Sequence, residues 1–434
     1  MDACIEIIDV RGGKISAIED LRTRTFEGLS SDIEGQVRAI VDAVRTRGDA
    51  ALVEYERQFD CPTLTAAELV VGVEEIDEAY KQVDTEWIGA FRRAKENVFE
   101  YHSRLLQSSW LDSFEGMLLG QRIRPMASAG LYVPAKHAPL PSTLCMCAVP
   151  ARVAGVPRLA LATPPRKDGT VDPTMLVAAA ECGVDDIYRM GGAQGIAALA
   201  YGTESIEPVA MVVGPGSPWV VMAKRLVFGV VGIESLPGPS ESLIIADELQ
   251  DVELVAADLL SQAEHTGDNT VILLTPSEYL ARAVSEALGK QVEKLSRSEL
   301  TAQSLQEYGA IVIVDSLEQA CEIANDIAPE HLQILTADPF AWLELIENAG
   351  CICLGSLSAV PLGDYAAGPS HVLPTNGTAR FSSPLSVDDF VKKSSVIYAT
   401  PRGFNRLAQD VETLAEAEGL GAHAAAIRMR REAG

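Results

Sequence analysis

Long hydrophobic runs are missing from this sequence. The best candidate, 144–163, is interrupted by Arg152, Pro157 and Arg158, so no membrane-spanning helix is expected. A Lys/Arg-rich stripe is missing as well. Only 35 basic residues stand against 61 acidic ones, and the formal net charge is -26. Nucleic acid and acidic membrane surfaces are therefore not expected partners, and the acidity speaks mainly to solubility. The opening Met1-Asp2-Ala3-Cys4-Ile5-Glu6 carries acids and lacks the basic-then-apolar pattern of a secretory leader. The eight cysteines form no metal-binding or redox spacing. Cys145-Met146-Cys147 and Cys351-Ile352-Cys353 are separated by one residue, which matches neither a zinc ribbon nor C-x-x-C. Set among apolar neighbours they read as buried free thiols, and a cytoplasmic location is expected. Phosphate-cradling loops are absent in their usual form. Gly191-Gly192-Ala193-Gln194-Gly195 is not G-x-G-x-x-G, and no Walker A sequence occurs.

What is there suffices for large cores. The chain has 434 residues, 47% of them hydrophobic, enough for two or three domains. Residues 1–30 read as an arm and a helix-poor lead-in. Ile33, Val37, Ile40, Val41 and Val44 then follow the helical period. A second helix is expected over 50–58, a strand over 68–73 and charged helices over 74–107. From about Gly130 the texture changes. Strands are expected at 131–134, 159–163, 185–190 and 209–213, alternating with helices at 142–154, 174–182 and 194–201. A second set follows, with strands at 243–246, 271–274, 310–314, 332–335 and 351–354. Helices at 252–262, 277–288, 317–327 and 340–346 lie between them, and the chain from Val387 reads as mostly helical. Alternation of this kind predicts parallel sheets, with ligands at the carboxyl ends of the strands.

The chemistry-bearing residues are few. Ser261-Gln262-Ala263-Glu264-His265 ends a predicted helix and places an amide and an imidazole on one face, a spacing that suits a shared metal ion. Asp364, in Gly363-Asp364-Tyr365, and His423, on the tail with Glu418, would complete an oxygen- and nitrogen-rich set suited to zinc. Each of these residues taken singly reads first as a structural polar group, and only the set suggests a metal site. Glu330-His331 follows Pro329 at a helix-to-strand junction. Such a pair serves as general acid and base when both are tuned toward neutral pH, or simply as a polar turn. His102 falls in a charged helix, where a solvated position is expected. His137 sits in the loop after Pro134.

Nine motifs occur together in one order. They are Gly130-Leu131-Tyr132-Val133-Pro134, Gly191-Gly192-Ala193-Gln194, Gly214-Pro215-Gly216, Gly238-Pro239-Ser240-Glu241, 261–265, Pro329-Glu330-His331, Gly363-Asp364-Tyr365, His371-Val372-Leu373-Pro374-Thr375 and the segment ending in His423. From about residue 30 onward the sequence resembles the histidinol dehydrogenases. The resemblance implies an α/β fold of two incomplete Rossmann-like parallel-sheet domains, one inserted in the other, with small helical terminal elements. It places the N-terminal arm at 1–30, the first domain at 31–131 plus 239–385, the insert at 132–238 and a helical tail at 386–434. It implies zinc held by Gln262, His265, Asp364 and His423, with the tail histidine supplied by the other subunit of a homodimer. Glu330 and His331 match the acid/base pair. Ser240, His371 and Glu418 match substrate contacts, alongside the metal ligands and His331. Tyr132, Gln194 and Ser217 match the NAD contacts. The implied reaction oxidises L-histidinol to L-histidine with two NAD and one water.

Two positions depart from that family's pattern. Ala135-Lys136 stands where Gly-Gly is usual, and Ser217 where Asn is usual. Both lie on the cofactor side. A serine hydroxyl is shorter than an asparagine amide and offers fewer hydrogen-bonding groups, so a cofactor hydrogen bond either lost or bridged by water is expected there.

Overall fold

The computed structural model describes residues 5–13, 18, 21, 31–135 and 138–433. Lys136, His137 and most of the 1–30 arm lie outside the described residues. In chain order, β1 (Glu6–Asp9) precedes the helices α1 (Ser31–Arg47), α2 (Asp49–Phe59), α3 (Val73–Gln82) and α4 (Thr85–Ser103). A hairpin follows, β2 (Trp110–Phe114) and β3 (Met117–Pro125). Then come β4 (Ser128–Tyr132), α5 (Pro141–Ala154), β5 (Arg158–Thr163), α6 (Pro173–Glu181), β6 (Asp186–Arg189) and α7 (Gly192–Tyr201). This part closes with β7 (Met211–Val213), α8 (Pro218–Val227) and β8 (Gly232–Ile233). The second alternation has β9 (Glu241–Ala246), α9 (Val252–Ala263), β10 (Thr270–Thr275), α10 (Glu278–Val292), α11 (Ser298–Glu307), β11 (Gly309–Ile313) and α12 (Leu317–Ile327). It ends with β12 (His331–Leu335), α13 (Phe340–Leu343) and β13 (Cys351–Leu354). The tail carries β14 (Val391–Ala399), α14 (Pro401–Ala417) and α15 (Gly421–Ala433).

Two all-parallel sheets result. The five-stranded sheet runs β6-β5-β4-β7-β8 and the six-stranded sheet β1-β11-β10-β9-β12-β13. Numbered within its own alternation, each has the order 3-2-1-4-5, which is a doubly wound sheet without its sixth strand, and β1 extends the second sheet at its far edge. Both faces of each sheet are covered. In β9, Leu243 and Ile245 enter one core while Ile244 and Ala246 enter the opposite one. In β5, Leu159 and Leu161 face one core and Ala160 and Ala162 the other. Strands buried on both sides read as continuous apolar runs, which is why their positions were legible in the sequence. Full burial of each such Leu or Ile contributes about 1.5–3 kcal/mol.

Several expectations are corrected. Residues 6–9, expected in a loose arm, form an edge strand in register with β11, Glu6 opposite Ala310. The strand expected over 68–73 is a 3-10 turn, Ala66–Glu68, and a single bridge from Val70 to Tyr188. The helices of 31–103 were assigned with the first domain but pack on the five-stranded sheet. Val37, Val41, Val44 and Leu52 share a core with Ala162 and Ile196, and Ile88, Phe91 and Val98 share one with Leu131 and Leu161. Periodicity identifies an apolar face, not the surface it meets. The tail is not wholly helical, because β14 pairs antiparallel with β3, Val391 opposite Pro125, and β2 completes that three-stranded sheet. Its Val391-Lys392-Lys393-Ser394-Ser395 stretch is largely exposed and lacks the apolar alternation that marks a half-buried strand. His102, expected to be solvated, is 1% exposed.

Candidate active site

The catalytic candidates gather at the amino edge of the six-stranded sheet, not at its carboxyl edge as expected. His331 is the first residue of β12 and Glu330 precedes it. Gln262 ends up beside them because α9 follows β9 and runs back along the sheet, so its last turn returns to the edge where β9 began. A pocket there is lined by His331, Cys351, Cys353, Asp364, Ser370 and His371, among others. Asp364 lies on a π-helical turn, Gly363–Ala367, of the sort that often marks functional positions.

Burial sets the protonation states. His331 Nε2 lies 3.4 Å from Asp364 Oδ1. Even so, burial pushes the His331 pKa down to about 3, with the charges of His265 and His371 acting in the same direction, so its imidazole is neutral. Glu330 is 6% exposed, and burial raises its carboxyl well above the usual range. Its Oε2 accepts from the Glu241 backbone N–H at 2.9 Å. Burial likewise raises Asp364 to about 7. His371 Nδ1 is 2.7 Å from the Asp364 carbonyl oxygen, and its Nε2 is 3.0 Å from the Thr143 hydroxyl.

Gln262 Nε2 and His265 Nδ1 are 3.2 Å apart, and Gln262 Oε1 is buried with no hydrogen-bond partner. Solvent reaches His265, yet the protein packed around the ring lowers its pKa by desolvation. An orphaned amide oxygen, a neutral imidazole and a desolvated carboxylate at Asp364 form an environment short of one cation. The donor chemistry therefore fits a divalent metal. Among the described residues of one chain, no group of three or more His, Cys, Asp or Glu is close enough to hold a metal ion. Glu418 and His423 are exposed on the tail and do not line this pocket.

The expected cofactor residues sit at the carboxyl edge of the five-stranded sheet, where the strand order reverses between β4 and β7. Tyr132 ends β4, and its hydroxyl accepts from Gly192 N at 3.0 Å. Gln194, buried in the first turn of α7, donates to Glu56 Oε1 at 2.9 Å, and Glu56 also accepts from Gly191 N. Both side chains thus brace the Gly191-Gly192 turn. Ser217 is the N-cap of α8, exposed, and its hydroxyl makes no capping bond. Gly214, with φ 119, passes so close to the Tyr132 carbonyl that a Cβ would lie 2.0 Å from its oxygen. That loop is held by Lys224 and Glu234, a fully buried pair at 2.7 Å. Lys224 Nζ donates to the Gly214 carbonyl and Glu234 accepts the Gly214 N–H. An exposed N-cap beside a glycine loop at a switch point fits a dinucleotide phosphate.

The two edges face each other. Thr143, in the first turn of α5, reaches His371, and Ser370 Oγ reaches the Met146 carbonyl at 3.5 Å. Sequence reasoning missed Thr143, Glu241, Lys224 and Glu56. Only Glu241 carried a signal, as the last residue of Gly238-Pro239-Ser240-Glu241. The described cysteines are all free, but Cys351 and Cys353, expected to be buried, are half-buried where they line the pocket. Among the described residues no helix is long and apolar enough to cross a membrane.

The sequence pattern of the histidinol dehydrogenases matches residues 24–431. The histidinol dehydrogenase of Moorella thermoacetica is 51% identical over 401 residues, covering 92% of this chain and 95% of the relative. That of Bacillus subtilis is 48% identical over 408 residues, covering 94% and 95%. The crystal structure of histidinol dehydrogenase from Elizabethkingia anophelis superposes with a TM-score of 0.94 at 34% identity, covering 99% of this chain and 98% of that one. On the sequence pattern, the relatives and the shared fold together, the chain belongs to the histidinol dehydrogenase family and is an oxidoreductase.

Proposed function

We propose that this chain oxidises L-histidinol, a small amino alcohol bearing an imidazole, to L-histidine through a bound aldehyde, consuming two NAD+ and one water as the last step of histidine biosynthesis. The observation that carries this reading is the buried Glu330–His331 pair, an imidazole kept neutral beside a carboxyl of raised proton affinity. The neutral His331 ring takes the alcohol proton at Nε2, the nitrogen facing Asp364. The proton then leaves His331 for solvent, which readies the ring for the next step. When bound, NAD+ accepts the hydride of each oxidation. The aldehyde then gains water, and Glu330 removes a proton from that water at its carboxylate. Ser240 and the Glu241 amide hold this carboxylate in place.

Gln262, His265 and Asp364, with His423 of a second copy, would hold zinc. When bound, zinc supplies a positive anchor for the substrate's imidazole and amine. Ser240, His371 and Glu418 then complete the substrate contacts. The exposed placement of Glu418, which caps the end of α14, and of His423 on α15 supports their reaching the other subunit of a homodimer. Leu414, Leu420 and Met429, exposed apolar side chains of the same tail, support it too. Ser217, with the α8 N-terminus and the Gly214-Pro215-Gly216 loop, receives the dinucleotide, and Tyr132 and Gln194 shape its floor.

The test is stoichiometric. Purified protein with zinc, NAD+ and histidinol should form about two NADH per histidinol consumed. Absence of NADH with histidinol, but turnover of another small alcohol, would replace the substrate and keep the reaction class. Zinc and histidinol binding without NADH would make the chain a non-catalytic relative.

A further inference from the structure

Glu241 opens β9 directly across from Glu330. In the parallel register, Ser242 stands opposite His331, so the residues before them face each other. The contact is reciprocal. The Glu241 N–H donates to Glu330 Oε2 at 2.9 Å, and the Glu330 N–H donates to the Glu241 carboxylate. Each carboxylate therefore caps the other residue's amide, at the strand pair where the six-stranded sheet reverses its order. Glu241 also accepts the Asn376 N–H. Asn376 has φ 55 and lies in the turn after the His371 loop. That turn is pinned from the other side, since Gly238 N donates to Thr375 Oγ1 at 2.6 Å and a Cβ on Gly238 would lie 1.9 Å from the Asn376 amide nitrogen. One buried side chain thus ties Glu330 to the segment that carries His371.

We propose that Glu241 is a positioning residue for Glu330, holding its carboxylate in the orientation needed for water to add to the aldehyde. The proposal rests on the reading of Glu330 as the group that activates water. An amide acceptor alone is a neutral task that glutamine performs equally well. Glutamate adds a second charge to a buried site. Glu241 is 3% exposed, and its Oε2 is buried without a hydrogen-bond partner. The charged groups around it are Glu330 and, farther off, the Arg380 guanidinium, which donates to the Gly377 and Asp326 carbonyls. Asp364 adds its charge from the Glu330 side. Two carboxylates sharing one site resist ionising together, so the charge on Glu241 adds to the rise in Glu330 proton affinity that burial causes. The direction of both shifts agrees, with Glu241 raised to about 7 chiefly by burial.

Glu241→Ala and Glu241→Gln, each loaded with zinc, test this with L-histidinol and L-histidinaldehyde as substrates and NAD+ as oxidant. Glu241→Ala keeps the main-chain N–H on Glu330 Oε2 but releases the Glu330 backbone and the Asn376 turn from the side chain that ties them, and kcat for aldehyde oxidation should fall about 10–100-fold with KM changed less than about threefold. Glu241→Gln keeps the amide acceptor and removes the charge. It should retain more activity than Glu241→Ala and shift the acid limb of its kcat–pH profile to lower pH. If Glu241→Ala does not fold, the Glu241→Gln profile decides alone. Active wild-type protein with an unshifted Glu241→Gln profile overturns the positioning role and leaves the proposed function standing. Wild-type protein that forms no NADH from either substrate overturns the proposed function and this role with it.

Discussion

The Thr143 hydroxyl lies 3.0 Å from Nε2 of His371, while Nδ1 of the same ring lies 2.7 Å from the Asp364 carbonyl oxygen. A carbonyl only accepts, so Nδ1 carries the proton, and in the neutral ring Nε2 accepts from Thr143. One imidazole therefore joins the first turn of α5 to the turn that carries Asp364. The five-stranded and six-stranded lobes meet through it.

Thr143→Val removes the donor and leaves Nε2 unpaired in a buried place. Stability should fall by about 1–3 kcal/mol. The KM for histidinol should rise, because Asp364 loses its brace. Chemical denaturation and steady-state kinetics check both, and an unaltered midpoint would show that the bond contributes nothing.

Lys224 and Glu234 are sealed from water and hold both backbone groups of Gly214. Lys224→Met leaves a buried carboxylate without its cation, which should cost about 3–5 kcal/mol. The double variant Lys224→Met/Glu234→Gln should recover part of that loss. It should still show a raised KM for NAD+, since the loop has lost its anchor. A double-mutant cycle with no coupling would contradict the pairing.

His102 is buried with both ring nitrogens unpartnered, and burial lowers its pKa to about 4. Above pH 6.5 the ring is neutral folded or unfolded. Between 6.5 and about 4 only the unfolded chain takes the proton, so stability falls as pH drops through that window. The slope approaches about 1.4 kcal/mol per pH unit. His102→Leu removes this dependence and should gain about 2 kcal/mol on the wild type between pH 7 and pH 4.5. Parallel stability curves across that range would rule the buried histidine out as an acid-sensitive element.

Removal of metal by a chelator should abolish histidinol oxidation, and added zinc should restore it. Asp364→Asn should lower bound zinc without unfolding the protein, as a metal assay would report. If the site is shared between subunits, mixing inactive His265→Ala and His423→Ala proteins should restore some activity. Fully exchanged heterodimers without recovery would place all the ligands in one chain.

His331→Asn removes the proposed base while keeping a polar side chain. A loss of about 10²–10⁴ in kcat is expected, with zinc content intact. Metal lost from this variant would instead make His331 part of the metal site.

The sequence by itself determined the two parallel sheets and most of their strands. Runs such as Leu243 to Ala246 and Val271 to Leu274 are apolar on both faces, and only a sheet covered on both sides calls for that. It also supplied the residue types of the candidate site, Gln262, His265, Glu330, His331 and Asp364. Only the tertiary structure decided where they gather. Local periodicity marks an apolar face but not its partner, so the helices of 31–103 were assigned to the wrong sheet, and β14 was invisible until β3 lay beside it. The amino-edge location follows from the return of α9 along the sheet. The links from Thr143 to His371 and from Glu241 to Glu330 span 228 and 89 residues. Hydrogen bonds across such separations leave no local trace, because they form only after the two edges are brought face to face.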